Sequence, residues 1–240
     1  MNILGTKVDN LTKQEILEKV NFFLSDPKFH QIATINPEFI LEAQKNAEFR
    51  EILNNCDLNI ADGIGIKFAF WRYGKHLKCR MAGVDLMNEI IKIANDRELS
   101  IFLAANKGGL STWEETRDAI LRKYPDLSVN GANLDRNITT RSFANVQDDK
   151  KYVEDILFVN FGAPYQELFI NNVKCDNIRL AIGVGGSFDF LTGKAKRAPD
   201  FMQKLGLEWL WRFLRQPKRW KRIWNAVIIF PVKILCSKEK

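Results

Sequence analysis

The sequence predicts an α/β protein: a mainly parallel sheet with helices on both faces, followed by a basic amphipathic helical appendage. Three observations carry that prediction. Short apolar runs alternate with stretches of helical period from about residue 12 to residue 193, a spacing that makes βαβ units and therefore parallel strand pairing. Several of the runs hand over to Asn, Asp or Gly, residues that turn a chain. The composition then changes after Gly193. Residues 194–240 hold 13 of the 36 Lys and Arg but only 3 of the 29 Asp and Glu, whereas residues 1–193 hold 23 basic and 26 acidic side chains. The chain therefore divides into a body, 1–193, with a net charge of −3, and an appendage, 194–240, with a net charge of +10.

The elements follow in order. Thr12-Lys13-Gln14-Glu15 is a capping box, and it opens a helix whose apolar stripe is Ile16, Val20, Phe23 and Leu24. Gln31 to Ile35 is a short strand. Asn36-Pro37 then places an N-cap and a first-turn proline at the start of a helix through Phe39, Ile40 and Ala43. Leu58 to Ala61 is a strand ending at Asp62-Gly63. Gly83 to Asp96 is a helix with Leu86, Ile90, Ile91 and Ala94 on one face. Ser100 to Ala104 is a strand, and a helix follows from about Ser111 to Arg122. Leu127 to Asn130, Ile156 to Phe161 and Ile178 to Val184 complete the strands. Asn133 to Lys151 is the most polar stretch and reads as a loop with a short helix.

Composition limits the classes of function. At 240 residues and 46% hydrophobic, the chain can bury a sizeable core. Its cysteines, Cys56, Cys79, Cys175 and Cys236, form no CxxC pair, which argues against a zinc site or a disulfide framework and suits a reducing cytoplasm. The N-terminus lacks an apolar stretch of signal-peptide length. No run reaches the roughly 18 apolar residues of a spanning helix; the longest, Ala226 to Leu235, is interrupted by Pro231 and Lys233. The expected location is therefore cytoplasmic and peripheral on a membrane. The appendage interleaves Trp and Arg with aliphatics, and four of the six tryptophans lie between Trp209 and Trp224. That pattern describes an interfacial helix on an anionic membrane surface. Packing of a homo-oligomer is the alternative. Nucleic acid is not an expected partner, because the body is acidic and the segment continues into an apolar run.

Five clusters at strand ends can carry chemistry, and each has a structural reading beside the chemical one. Thr34 and Asn36 sit where a strand meets a helix; Asn36 also suits a cap. Asp62 stands at the mouth of the sheet, where a carboxylate can take the proton of a sugar hydroxyl, or it can cap the helix after Gly63. Arg80 can bind a phosphate oxygen or lie solvated in a loop, while Asp85 reads as a first-turn helix acid. Gln166 or Glu167, after Gly162-Ala163-Pro164, projects near the cleft. Gly185, Gly186 and Asp189 belong to the most glycine-dense stretch, whose N–H groups can cradle a diphosphate, although it matches neither the P-loop nor the dinucleotide fingerprint. No Asp-x-Asp or His/Asp cluster lies at a strand end.

In this order the motifs resemble the WecG/TagA/CpsF glycosyltransferase family. The landmarks are Thr34-Ile-Asn36-Pro, Ala61-Asp62-Gly63, Arg80-Met-Ala-Gly83-Val-Asp85, Phe161-Gly-Ala-Pro164-Tyr-Gln166-Glu167 and Gly183-Val-Gly-Gly-Ser-Phe188-Asp189-Phe-Leu-Thr-Gly193, then Lys196-Arg197-Ala198-Pro199 and Gly206-Leu-Glu208-Trp209-Leu. The resemblance implies a Rossmann-like domain and an inverting, metal-independent transfer from a UDP-sugar donor, with no cofactor. It implies a polyprenyl-diphosphate-linked sugar acceptor on the inner face of the plasma membrane; TagA-like members move N-acetylmannosamine to undecaprenyl-diphosphate-linked N-acetylglucosamine for wall teichoic acid. Other members use N-acetylmannosaminuronic acid or glucose-type sugars. By the same resemblance Asp62 is the general base, Thr34, Asn36 and Gln166 line the sugar pocket, Arg80 binds diphosphate, and Arg212, Arg219 and Arg222 reach the phosphates of donor or acceptor. The family's Gly-Gly-Lys-Pro-Gly turn is replaced here by Ala104-Ala105-Asn106-Lys107-Gly108-Gly109, and Tyr165 stands where a Lys is common.

Overall fold

The computed structural model describes residues 1–136, 154–174, 177–215 and 220–237, without the side chains of Lys204 and Arg212. Arg219 and most of the polar stretch 133–151 thus lie outside the described residues. An antiparallel pair, β1 (Asn2–Ile3) and β2 (Thr6–Lys7), precedes the sheet. The sheet itself consists of β3 (His30–Ile35), β4 (Leu58–Ala61), β5 (Ile101–Asn106), β6 (Val129–Leu134), β7 (Ile156–Val159) and β8 (Leu180–Gly183). Its order is β4-β3-β8-β7-β5-β6, and every described pairing in it is parallel.

Helices cover both faces. Strand residues alternate in direction, so Ile32, Ile60, Leu103 and Phe158 meet one layer, which includes α1 (Lys13–Ser25) and α5 (Gly83–Asp96). Ala33, Ile35 and Ala61 meet the opposite layer, formed by α2 (Pro37–Ala43), α3 (Ala47–Asn55) and α4 (Ile64–Arg72). Two-sided burial explains why β7 and β8 read as unbroken apolar runs. The remaining helices among the described residues of the body are α6 (Trp113–Leu121), α7 (Tyr165–Asn172) and α8 (Ser187–Leu191). The capping box at Thr12 and the Asn36 cap both form as the sequence indicates.

The last segment contains α9 (Asp200–Lys204), α10 (Glu208–Arg215), α11 (Trp220–Trp224), a π-turn (Asn225–Ile229) and α12 (Phe230–Cys236). Pro231, which interrupts the apolar run of the sequence, does not interrupt the helical path. The preceding turn widens, with the Phe230 N–H donating to Asn225 O five residues back, and Pro231 enters α12 in its first turn, where its missing N–H is not needed. One side of this rod is built into the body. Phe230 and Ile234 are fully buried with α2 and α4 in the same core cluster as Ile3 and Val8 of the N-terminal end. Ile228, Ile229, Val232 and Leu235 stay exposed, as do Trp220 and Trp224.

Candidate active site

The C-terminal ends of the parallel strands open onto a cavity of about 670 Å³, the position where open α/β sheets bind ligands. Thr34, Asn36, Asp62, Gln166, Gly185, Gly186, Asp189 and Arg222 all line it, so most of the residues singled out in the sequence come together. Arg80 does not line it. It borders a second cavity of about 160 Å³, walled largely by apolar groups such as Ile64, Trp209, Ile223 and Val227. Its guanidinium donates to Gln203 O at 2.7 Å and pairs with Glu208 at 3.4 Å, tying the body to the appendage.

Each strand end delivers its residue by local geometry. Asn36 Oδ1 accepts from the N–H groups of Glu38 and Phe39 at 3.0 and 3.1 Å, which starts α2 directly beneath the cavity. The Asp62 N–H donates to Ile35 O at 2.8 Å, clamping the end of β4 to the end of β3. The cap position of α4 is Gly63, at φ 83°, and no side chain caps that helix. Gly63, rather than Asp62, thus holds the cap position that the sequence also allowed to Asp62.

Gln166 lines the cavity as expected and has a scaffolding part as well. Its side chain is buried; Oε1 accepts from Gly162 N and Gly185 N at 2.9 and 3.1 Å, and Nε2 donates to Glu167 Oε1 at 2.7 Å. It fastens the β7 and β8 loops together, leaving little of its amide for a sugar. Gly183 is required beneath it, because a Cβ there would approach Gln166 Nε2 to 2.2 Å. The Gly185 N–H is consequently committed to Gln166, and the Ser187 N–H to Val184 O, so less of the glycine loop is open to a diphosphate than its composition suggests. Glu167 is fully enclosed; burial pushes its carboxyl up to about 8, opposed by the Gln166 hydrogen bond. Asp189 Oδ1 accepts from Ser111 Oγ at 2.8 Å, joining α8 to the loop before α6.

Two polar groups of the cavity wall, Asn160 and Glu38, escape the sequence reading, as does an ion pair made by Arg197. Asn160, which follows the apolar run of β7, lines the cavity and accepts from Asn106 N at 2.6 Å; a polar residue closing such a run is a readable signal. Arg197 pairs with Asp85 through two bonds of 2.5 and 2.6 Å. That carboxylate, helped by Glu208 and Asp62, keeps Arg197 firmly protonated. Glu38 receives Arg222 through Nε at 3.0 Å and through Nη2. Neither partner pair can be read from spacing, since 112 and 184 residues separate them.

The site thus sets a carboxylate at a strand end on a cavity that Arg215 and Arg222 also line and that is large enough for a nucleotide sugar. Residues 1–240 match the family described as glycosyl transferase WecG/TagA/CpsF. The chain belongs to this family. This WecG/TagA/CpsF member is similar to N-acetylglucosaminyldiphosphoundecaprenol N-acetyl-beta-D-mannosaminyltransferase of Bacillus subtilis strain 168, with 31% identity over 92% of the chain and 82% of the relative. The Staphylococcus aureus MRSA252 protein of the same name is 32% identical over 100% of the chain and 94% of the relative. The WecG/TagA/CpsF member described here is therefore an α/β glycosyltransferase, and among its described residues no helix is long and apolar enough to cross a membrane.

Proposed function

We propose that this glycosyltransferase moves N-acetylmannosamine from a UDP-sugar to N-acetylglucosamine carried on a polyprenyl diphosphate, with inversion at the transferred carbon and without a metal. The observation that carries the reading is the place of Asp62: it is on the wall shared by a polar, nucleotide-sized cavity and a smaller, more apolar one. The donor occupies the larger cavity. The acceptor reaches Asp62 from the smaller cavity, which adjoins the exposed Trp and aliphatic residues of the last segment. Asp62 takes the proton of the acceptor hydroxyl as its oxygen bonds to the sugar C1, and the C1–O bond to UDP breaks on the opposite side. Lys194, Lys196 and Arg215 and the backbone of the glycine loop line the larger cavity, where their positive charge and N–H dipoles serve the leaving diphosphate. The names of the relatives support both the transferred sugar and the acceptor.

The protein works as a peripheral enzyme on the inner face of the plasma membrane in this reading. Support comes from α11 and α12, where Trp220, Trp224, Val232 and Leu235 are exposed beside Lys221 and Lys233. The deciding experiment follows UDP release from UDP-N-acetylmannosamine with a short-chain N-acetylglucosaminyl lipid diphosphate. Release that needs both substrates supports the reading. Preference for a uronic-acid or glucose donor replaces the sugar assignment, and silence with every UDP-sugar favours a non-catalytic scaffold.

A further inference from the structure

Among the described residues, four line both cavities: Asn36, Glu38, Asp62 and Arg222. The Glu38–Arg222 pair therefore forms part of the partition between them, next to the proposed base. Arg222 belongs to α11 and Glu38 to the first turn of α2, so the pair also pins the appendage over the strand ends. The contact is two-pronged, with Nε and Nη2 both directed at the carboxylate. Such a fork fixes the plane of a guanidinium, which a single contact does not. An ion pair exposed to this degree, 56% for Arg222 and 28% for Glu38, contributes little to stability. Its consequence lies in where it holds the charge.

We propose that Glu38 is a positioning residue: it holds the Arg222 guanidinium on the partition, where the diphosphate of a lipid-linked acceptor must lie when its sugar reaches Asp62. This rests on the acceptor assignment above. Glu38 touches no substrate in this scheme and acts through Arg222. Without it, a long and flexible arginine on a surface helix samples many rotamers, and the acceptor has to order it at each encounter. The donor, held by the far walls of the larger cavity, is unaffected.

The test is a double-mutant cycle on the full chain, read by binding and by turnover. Glu38→Gln keeps the shape of the side chain and removes its charge; Asn36 caps the backbone N–H of residue 38, so the cap survives the change. Farnesyl diphosphate serves as the probe for the acceptor side and UDP for the donor side. Glu38→Gln is expected to weaken farnesyl diphosphate about tenfold, the scale of one charge-assisted contact, and UDP by less than about twofold. Arg222→Ala should weaken the probe at least as much, and the double variant no further than Arg222→Ala alone. In turnover, Glu38→Gln should raise KM for the lipid acceptor far more than it lowers kcat. Losses that multiply in the double variant, an unchanged affinity for the probe, or an equal loss for UDP would each overturn the proposal. Arg222→Lys gives a second arm should Glu38→Gln fold poorly: it keeps the charge without the fork, so the same selective loss is expected, and wild-type affinity refutes the role. Wild-type protein that binds both probes yet transfers no sugar counts against the transferase reading alone, and the binding cycle then still decides on Glu38.

Discussion

At the scale of single residues, the site separates chemistry from scaffolding more sharply than its motifs do. Asp62 lies one residue before the cap position of α4, which Gly63 holds. Asp62→Asn is therefore expected to lower turnover by roughly 100-fold or more, the usual scale for a positioned base. Calorimetry should not show the shift of about 2–4 °C that losing a cap worth about 1 kcal/mol brings in a chain of this size. Turnover near wild type would remove the assignment. Glu167 offers a prediction of opposite character. Its folded carboxyl titrates at about 8, well above the ordinary 4.5, because it is enclosed. An acid whose pKa is raised by folding costs no stability below pH 4.5, where both states hold the proton. Stability then falls as pH climbs from 4.5 towards 8, where the unfolded chain ionises first. Melting followed between pH 5 and pH 8.5 should show this decline in the wild-type protein and a flatter profile in Glu167→Gln; identical slopes would show that Glu167 is ionised in the fold.

At the scale of elements, the apolar tail has two sides with different duties. Phe230 and Ile234 point into the core. Phe230→Ala or Ile234→Ala should each cost about 2–5 kcal/mol, measured by urea unfolding. Val232 and Leu235 point outward, so Val232→Ser with Leu235→Ser should leave unfolding almost unchanged and weaken binding to anionic vesicles. Vesicle binding that survives the outward pair would place the membrane contact elsewhere. The elements also show what the sequence discloses. Strands buried on both faces, such as Ile156–Val159, announce themselves as apolar runs, and caps such as Thr12 and Asn36 are local chemistry that spacing reveals. α3 is easily passed over, because only Phe49, Ile52 and Leu53 face inward from a polar stretch. β1 and β2 are two residues each, too short for any period. Pro231 reads as a break because the π-turn that accommodates it leaves no sequence mark. Contacts such as Gln166 to Gly185 or Arg222 to Glu38 depend on the path of the whole chain and cannot be read from either partner.

At the scale of the whole molecule, an acidic body carries its surplus of positive charge, together with the exposed Trp220 and Trp224, on one terminal segment. Binding to anionic vesicles should weaken steeply with salt, each basic residue near the surface contributing about 1 kcal/mol that is screened. Co-sedimentation at low and high ionic strength measures this; no binding at low salt, with a dimer in solution instead, would assign the segment to a second copy. Turnover in EDTA should equal that without it, and strict dependence on added Mn²⁺ or Mg²⁺ would overturn the metal-free scheme. The buried side of α12 has a bearing on synthesis. Ile3 and Val8 share a cluster with Phe230 and Ile234, more than 220 residues further along. On the ribosome that cluster has to wait for almost the whole chain, and such long-range closure is the slow part of folding. Nascent protein interrupted before residue 230 keeps an unfilled core and is left to chaperones and proteases. Trp220 and Trp224 are translated just ahead of the residues that close the core, so the outward face of the segment and its inward face emerge almost together.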